Sequence, residues 1–374
     1  MAMARKARWG TRVISAAVAL VAAGCFTVRI LPWFNGERAA LATADLFLPK
    51  AAQEVYRQEL TVKESVIEPD GSGNLAQTQP EPEASPTPSA TPKPTPTPKP
   101  TPVPTPKPGA KAYPITETQM GGGTQVGNLF IRNSTKQNLD FKKELQTLPD
   151  LKIKADGTPM VLIYHTHTTE SYLPSESPWF YEGTETRSQD GNQSVVMVGN
   201  AIEAQLKAAG FGVIHDTTIH DYPAYTGGYT RSAETMKKNL KKYPSIQITL
   251  DIHRDAIGGN DGERIKPTAT VNGKKAAQFM ILTGCDDDGT LGFPNWRKNL
   301  GLALQLQQTA SDLYPGLARP LNFCNRVYNE NLTTGSLLVE CGTEVNTVEE
   351  AAYTGRLFGE VLVKTLQKIM ESQG

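Results

Sequence analysis

Four cysteines in 374 residues, with no CxxC pair and no finger spacing, leave this chain without a disulfide framework or a zinc knuckle. Cys25 lies inside an apolar run; Cys285, Cys324 and Cys341 are scattered. An excess of charge is missing too. The 38 Lys and Arg balance the 38 Asp and Glu, so the whole-chain electrostatics give no reason to expect nucleic acid as a partner. No internal repeat of domain size occurs. Histidine is scarce, and His165, His167, His215, His220 and His253 all fall in the C-terminal portion. A metal or acid-base site has to be sought there.

The N-terminus reads as an address. Residues 1–12 form a basic tail with Arg5, Lys6, Arg8 and Arg12, and residues 13–34 form an apolar segment that ends in Trp33 and Phe34. A cleaved signal peptide wants small residues soon after its apolar core, whereas Thr27 to Phe34 offers bulky ones, so the segment reads as an uncleaved signal anchor. The positive-inside bias then keeps the tail in the cytoplasm and puts the rest of the chain on the outer side, with Arg29 snorkelling at the far interface. Val21-Ala22-Ala23-Gly24-Cys25 resembles a lipoprotein cleavage site, but Ala22 stands where a bulkier aliphatic residue is usual. Residues 35–79 are a polar extracytoplasmic segment and residues 80–112 a Pro/Thr-rich linker. The 13 prolines between Pro80 and Pro108 forbid sheet and helix and impose polyproline II, a spacer of up to roughly 90 Å.

Residues 113–374 are expected to form the folded domain, with its core at 158–372. Met160 to Tyr164 reads as a buried strand. Further strands are expected at Gly212 to Ile214, Ile246 to Ile252 and Leu337 to Glu340, with helices over Ser194 to Ala209, Ser232 to Lys242, Trp296 to Leu313 and Val348 to Met370. Thr268 to Val271 and Ala277 to Leu282 form a β-hairpin turning at Asn272-Gly273. This alternation predicts an α/β fold, a mostly parallel twisted sheet flanked by helices.

In such sheets reactive groups gather beyond the C-terminal strand ends. Three of those ends carry suitable side chains: His165 to Glu170, Asp251 to Asp255, and Glu340-Cys341-Gly342. His167 and Glu170 form an H-x-x-E pair able to hold one ion together, and His253 completes a two-histidine, one-carboxylate zinc set. Glu340 is then left as general base, its pKa open to upward tuning by burial. Arg254 is placed to bind a substrate carboxylate or an oxyanion, and Asp251 or Asp255 to orient a ligand imidazole. His165 is the rival of His167 for the ligand position, or else supports the site from behind. Singly, each residue has a plainer reading as an ordinary surface or hydrogen-bonded group. Asp286 to Asp288 lack the later ligands of a calcium loop and read as a solvated turn, and Cys341 has no histidine partner that suggests a thiol nucleophile.

The blocks Tyr164-His165-Thr166-His167-Thr168-Thr169-Glu170-Ser171-Tyr172, Asp251-Ile252-His253-Arg254-Asp255 and Glu340-Cys341-Gly342, leading to Asn346-Thr347 and Glu349-Glu350, resemble the stage II sporulation protein P family. The likeness runs from Met160 to the C-terminus, and anchor plus stalk is similar in layout. It implies a zinc-exopeptidase or amidase-like domain over 113–374 that cuts the N-acetylmuramoyl-L-alanine amide bond of peptidoglycan. It further implies Zn2+ on His167, Glu170 and His253, catalysis by Glu340, endopeptidase activity in some members, and action with the lytic transglycosylase stage II sporulation protein D during engulfment. Cys341 departs from the family pattern, where a larger apolar residue is expected. Two other readings stand beside this one: a zinc endopeptidase or carboxypeptidase acting on stem peptides, and a wall-binding scaffold with a relic site.

Overall fold

A computed structural model describes residues 109–259 and 261–373. The basic tail, the expected anchor, the polar segment and nearly all of the linker lie outside the described residues. The chain divides into two units, Met1–Thr91 and Pro92–Gly374, and the described residues belong to the second.

Twelve strands and five helices are described, besides a 3-10 turn at Glu330–Leu332. They run β1 (Ala112–Thr118), β2 (Thr124–Val126), β3 (Leu129–Asn133), α1 (Phe141–Leu145), β4 (Pro159–Tyr164), β5 (Trp179–Tyr181), α2 (Val195–Ala208), β6 (Gly212–His215) and α3 (Gly228–Lys242). Next come β7 (Ile248–Asp255), β8 (Arg264–Val271), β9 (Lys274–Ala277), β10 (Phe279–Gly284), α4 (Trp296–Leu313), β11 (Leu321–Cys324), β12 (Ser336–Thr343) and α5 (Val348–Glu371). The principal sheet has the order β2-β3-β11-β10-β12-β7-β4-β6. It is mostly parallel, as expected, with β10 antiparallel to β12 and β2 to β3. A second sheet, β5-β1-β8-β9, is of mixed direction.

Alternation along β4 shows why the principal sheet is covered on both faces. Val161 and Ile163 enter the large core with Val198, Ile202, Leu304 and Val361, whereas Leu162 and Tyr164 pack with Met236 and Ile246. A strand apolar at every position is what two-sided burial by helices requires. Helices α2 and α5 run along each other, and Gly355 and Gly359 allow their close approach. A Cβ at Gly355 would meet the Val198 carbonyl oxygen at 2.7 Å, and one at Gly359 the Gln205 Cβ at 2.8 Å. Helix α5 starts at a capping box, Thr347 accepting from the Glu350 N–H while Glu350 accepts from the Thr347 N–H.

The hairpin turns where the sequence places it, with Asn272 at φ 49° and Gly273 at φ 76°. Its second strand is shorter than expected, however, stopping at Ala277. Gln278 interrupts the ladder: its side chain accepts from the Met120 N–H at 2.6 Å and donates to the Gly316 carbonyl at 2.8 Å. Beyond it the chain enters the principal sheet as β10, so the single expected strand is two strands in two sheets.

Candidate metal centre

Three adjacent parallel strands inside the principal sheet, β4, β7 and β12, deliver the chemistry to their C-terminal ends. Tyr164, the last residue of β4, lies opposite Asp251 of β7, and His253 of β7 opposite Glu340 of β12. After Tyr164 the chain leaves the sheet in a tight turn, closed by the Glu170 N–H donating to the His167 carbonyl at 3.0 Å. That turn brings the two ends of the H-x-x-E pair side by side.

His167, Glu170 and His253 are buried, and their candidate donor atoms lie within 4.8 Å of one another. His253 Nδ1 stands 3.4 Å from Glu170 Oε2, and its Nε2 is 2.9 Å from Asp251 Oδ1. Asp251 is in turn fixed by the Thr166 N–H (2.8 Å) and the Thr166 hydroxyl (2.6 Å). It faces the side of the His253 ring away from Glu170, the position of a carboxylate that orients a ligand imidazole. Glu170 Oε2 accepts from the Arg254 N–H at 3.1 Å.

The electrostatics divide the two histidines. Burial disfavours a cation at both, and it holds His167 down to about 4, so this imidazole is neutral with a lone pair available. At His253 burial is outweighed by Asp251 and Glu170, which raise its pKa well above the usual value. Glu170 is the reciprocal case: burial pushes it up, but His253 and then Arg254 hold it well below the usual carboxylate range. His167 Nδ1 is buried without a hydrogen-bond partner. Such an atom costs free energy unless something binds it, and two imidazoles with one carboxylate suit zinc, so the residues present fit that ion.

Glu340 sits beside this trio. The residue is half-buried, with Oε2 shielded from solvent and without a partner; desolvation first, then the charge of Asp255, push the carboxyl up to about 8. The other expected residues have different surroundings. His165 faces away from the trio, its Nδ1 2.9 Å from the Ile252 carbonyl and its Nε2 2.9 Å from His215 Nε2. The Arg254 guanidinium, expected to meet substrate, is instead spent on backbone carbonyls. It donates to Ser171 at 3.0 Å and to Thr186 at 2.9 Å, and is buried. It clamps the segment after Glu170 while its backbone N–H holds the carboxylate. Asp255 is paired with Arg319 at 2.8 Å.

The loop after β6, which in sequence reads with His215, His220, Asp216, Asp221, Tyr222 and Tyr225 as a polar active-site wall or plain surface, supplies an aromatic wall to which the start of α3 adds an unnoticed Tyr229. Tyr225 stacks on His167, with centroids 4.2 Å apart and planes 11° apart, and Tyr229 meets the same ring edge-on at 5.6 Å. Arg319, which also went unnoticed, keeps Nη1 buried without a partner. Tyr229 could have been suspected from its place four residues after Tyr225, but Arg319 carries no local signal.

Fold and site together define an α/β protein with a buried two-histidine, one-glutamate candidate metal centre and an adjacent carboxyl of raised pKa. The model of the family Stage II sporulation protein P matches residues 52–363, and the chain belongs to that family. It is 30% identical over 216 residues to Stage II sporulation protein P of Bacillus subtilis (strain 168), an alignment covering 55% of this chain and 49% of that protein. The chain thus spans about half the length of the curated relative it matches.

Among solved structures, similarity is found to the CwlD amidase from Clostridioides difficile in complex with the GerS lipoprotein. The TM-score is 0.34 at 12% identity, over 57% of this chain and 99% of that one. It is also found to the N-acetylmuramoyl-L-alanine amidase AmiC2 of Nostoc punctiforme (TM-score 0.32, 12% identity, 58% and 99% covered). At such scores these likenesses say nothing by themselves about chemistry.

Proposed function

We propose that this chain is a zinc-dependent N-acetylmuramoyl-L-alanine amidase that acts on peptidoglycan during sporulation. The observation that carries the reading is the buried His167, Glu170 and His253 trio, with the unpartnered Glu340 carboxyl beside it, in a member of this family. His167, Glu170 and His253 hold the ion, and Asp251 keeps the His253 ring turned toward it. Zinc, when bound, supplies Lewis acidity toward the amide carbonyl and acidifies water toward a pKa of ~7. Glu340 takes the proton from the attacking water and delivers it to the departing L-Ala nitrogen, which cannot leave as an anion. A carboxyl with a pKa near neutrality is suited to both transfers.

The basic tail and apolar segment at 13–34 hold the domain to the outer side of the cytoplasmic membrane, and the Pro/Thr linker at 80–112 gives it reach into the wall. Stage II sporulation protein D is the expected partner, shortening glycan strands that this chain strips of peptide.

The test is digestion of purified peptidoglycan by the full-length chain, as purified, chelated and zinc-restored, with and without that partner, followed by mass spectrometry. Stem peptides with a free L-Ala amine, lost on chelation and recovered with zinc, are expected. Cleavage confined to cross-links would make it a peptidase, and wall binding without products in every mixture would leave a scaffold.

A further inference from the structure

Two of the three zinc donors have conventional supports. Glu170 takes the Arg254 N–H, and His253 has Asp251 beside its second nitrogen. His167 has no such support: its buried Nδ1, the nitrogen left for the ion, has no partner, and among the described residues neither ring nitrogen takes a hydrogen bond or an ion pair such as Asp251 gives His253. A ligand imidazole must still be aimed, because a ring free to turn about its side-chain bonds loses affinity for the ion.

What fixes the ring is a stack. Tyr225 lies parallel to it at 4.2 Å, and the Arg187 guanidinium carbon stands 4.5 Å from the Tyr225 ring centroid. Tyr225 is thus held between contacts to both Arg187 and the ligand ring. On one side the contact is tied back to the ligand turn. Arg187 Nη1 donates to Asp221 Oδ2 at 2.7 Å, and that buried carboxylate accepts from the Thr169 hydroxyl at 2.7 Å and the Thr169 N–H at 3.1 Å. Thr169 lies between the two donors His167 and Glu170. On the other side, Arg231 of α3 donates to the carbonyls of His220, Ala224 and Thr226, pinning the loop that carries Tyr225.

We propose that Tyr225 and Arg187 are positioning residues for the metal ligand His167, serving in the place a carboxylate serves for His253. A face-to-face ring contact restricts tilt without consuming a ring nitrogen. The guanidinium holds the phenol ring through its quadrupole, and Asp221 anchors the guanidinium to the turn it helps to align. The inference rests on the zinc reading of the site.

Zinc affinity of the full-length chain, measured by competition with a chromophoric chelator, and the visible spectrum of its cobalt(II) form test it. Tyr225→Leu and Arg187→Gln are expected to weaken zinc by about tenfold to a hundredfold and to shift the cobalt bands, while Tyr225→Phe, which keeps the ring, restores both. Thermal melts of the metal-free proteins report folding. Should Tyr225→Leu not fold, Arg187→Gln, close in size but uncharged, carries the same two readouts. Unchanged affinity and spectra in folded variants, beside a wild type that binds zinc, overturn this inference alone. A folded wild type that binds no zinc overturns the proposed function and this inference with it.

Discussion

Replacing Glu340 by Gln in the metal-free protein offers a direct measure of what burial does to the carboxyl. The folded state raises this group from an ordinary 4.5 to about 8. Between those values the folded chain keeps a proton that the unfolded chain has released, so stability falls as pH rises, and it levels off above the folded value. At about 1.4 kcal/mol per pH unit, the fall amounts to as much as roughly 5 kcal/mol. Glutamine does not titrate, and the variant lacks this decline. Urea unfolding of wild type and Glu340→Gln, with chelator present and at closely spaced pH values from 4.5 to 8.5, gives the difference in unfolding free energy. That difference should move in favour of the variant with rising pH and then stay flat. A difference independent of pH would refute the argument that burial, rather than zinc, tunes this group. In the zinc form, the same variant should keep its metal and lose about 10²- to 10⁴-fold in turnover, the usual worth of a general base.

His253 is held as a cation by Asp251 and Glu170 and must be neutral to bind an ion. Zinc binding should therefore release a proton and weaken with falling pH, which calorimetry in buffers of different ionisation enthalpy checks; binding with no proton release contradicts it. Arg254→Ala should cost roughly 1–3 kcal/mol in urea unfolding, because it leaves the carbonyl of buried Ser171 unpaired, while that of Thr186 keeps the Ser171 N–H. Gly342→Ala should cost about 1–3 kcal/mol, since Gly342 has φ 68° and a Cβ there would stand 2.6 Å from Asn346 Oδ1. A near-neutral result for Gly342→Ala would mean that the strand shifts to make room, which a crystal structure of the variant would show.

Much of this molecule is legible in its residues where local physics is strong. β4, β7, β12 and the helices α2, α4 and α5 announce themselves as long apolar or periodic runs, and Asn272-Gly273 dictates its turn. Strands β2, β3, β5 and β11 escape notice because they have only three to five residues, and β1 because it is largely exposed and its partners lie far along the chain. It pairs with β5 and β8. The division at Gln278 was unreadable because the apolar character resumes at Phe279 after one polar residue. What stops the ladder is a set of side-chain bonds to Met120 and Gly316. In the site, His167, Glu170 and His253 could be brought together from strand ends and the H-x-x-E turn. By contrast, nothing near Arg254 in sequence shows that Ser171 and Thr186 present carbonyls that consume its guanidinium, and nothing near Arg319 shows that it reaches Asp255.

β12 carries Glu340 in the middle of the principal sheet, with β10 on one side and β7 on the other. Among the described strands it is also the last in sequence. Until it inserts, the sheet remains two separate pieces, with His253 on a bare edge and the large core open. The turn bearing His167 and Glu170, together with β7, precedes it, so the groups proposed to grip the ion are all synthesised before the group proposed to move the proton. On that reading the ligands can be in place before the proton-transfer group is, and the core itself is complete only when α5, which follows β12, packs onto α2.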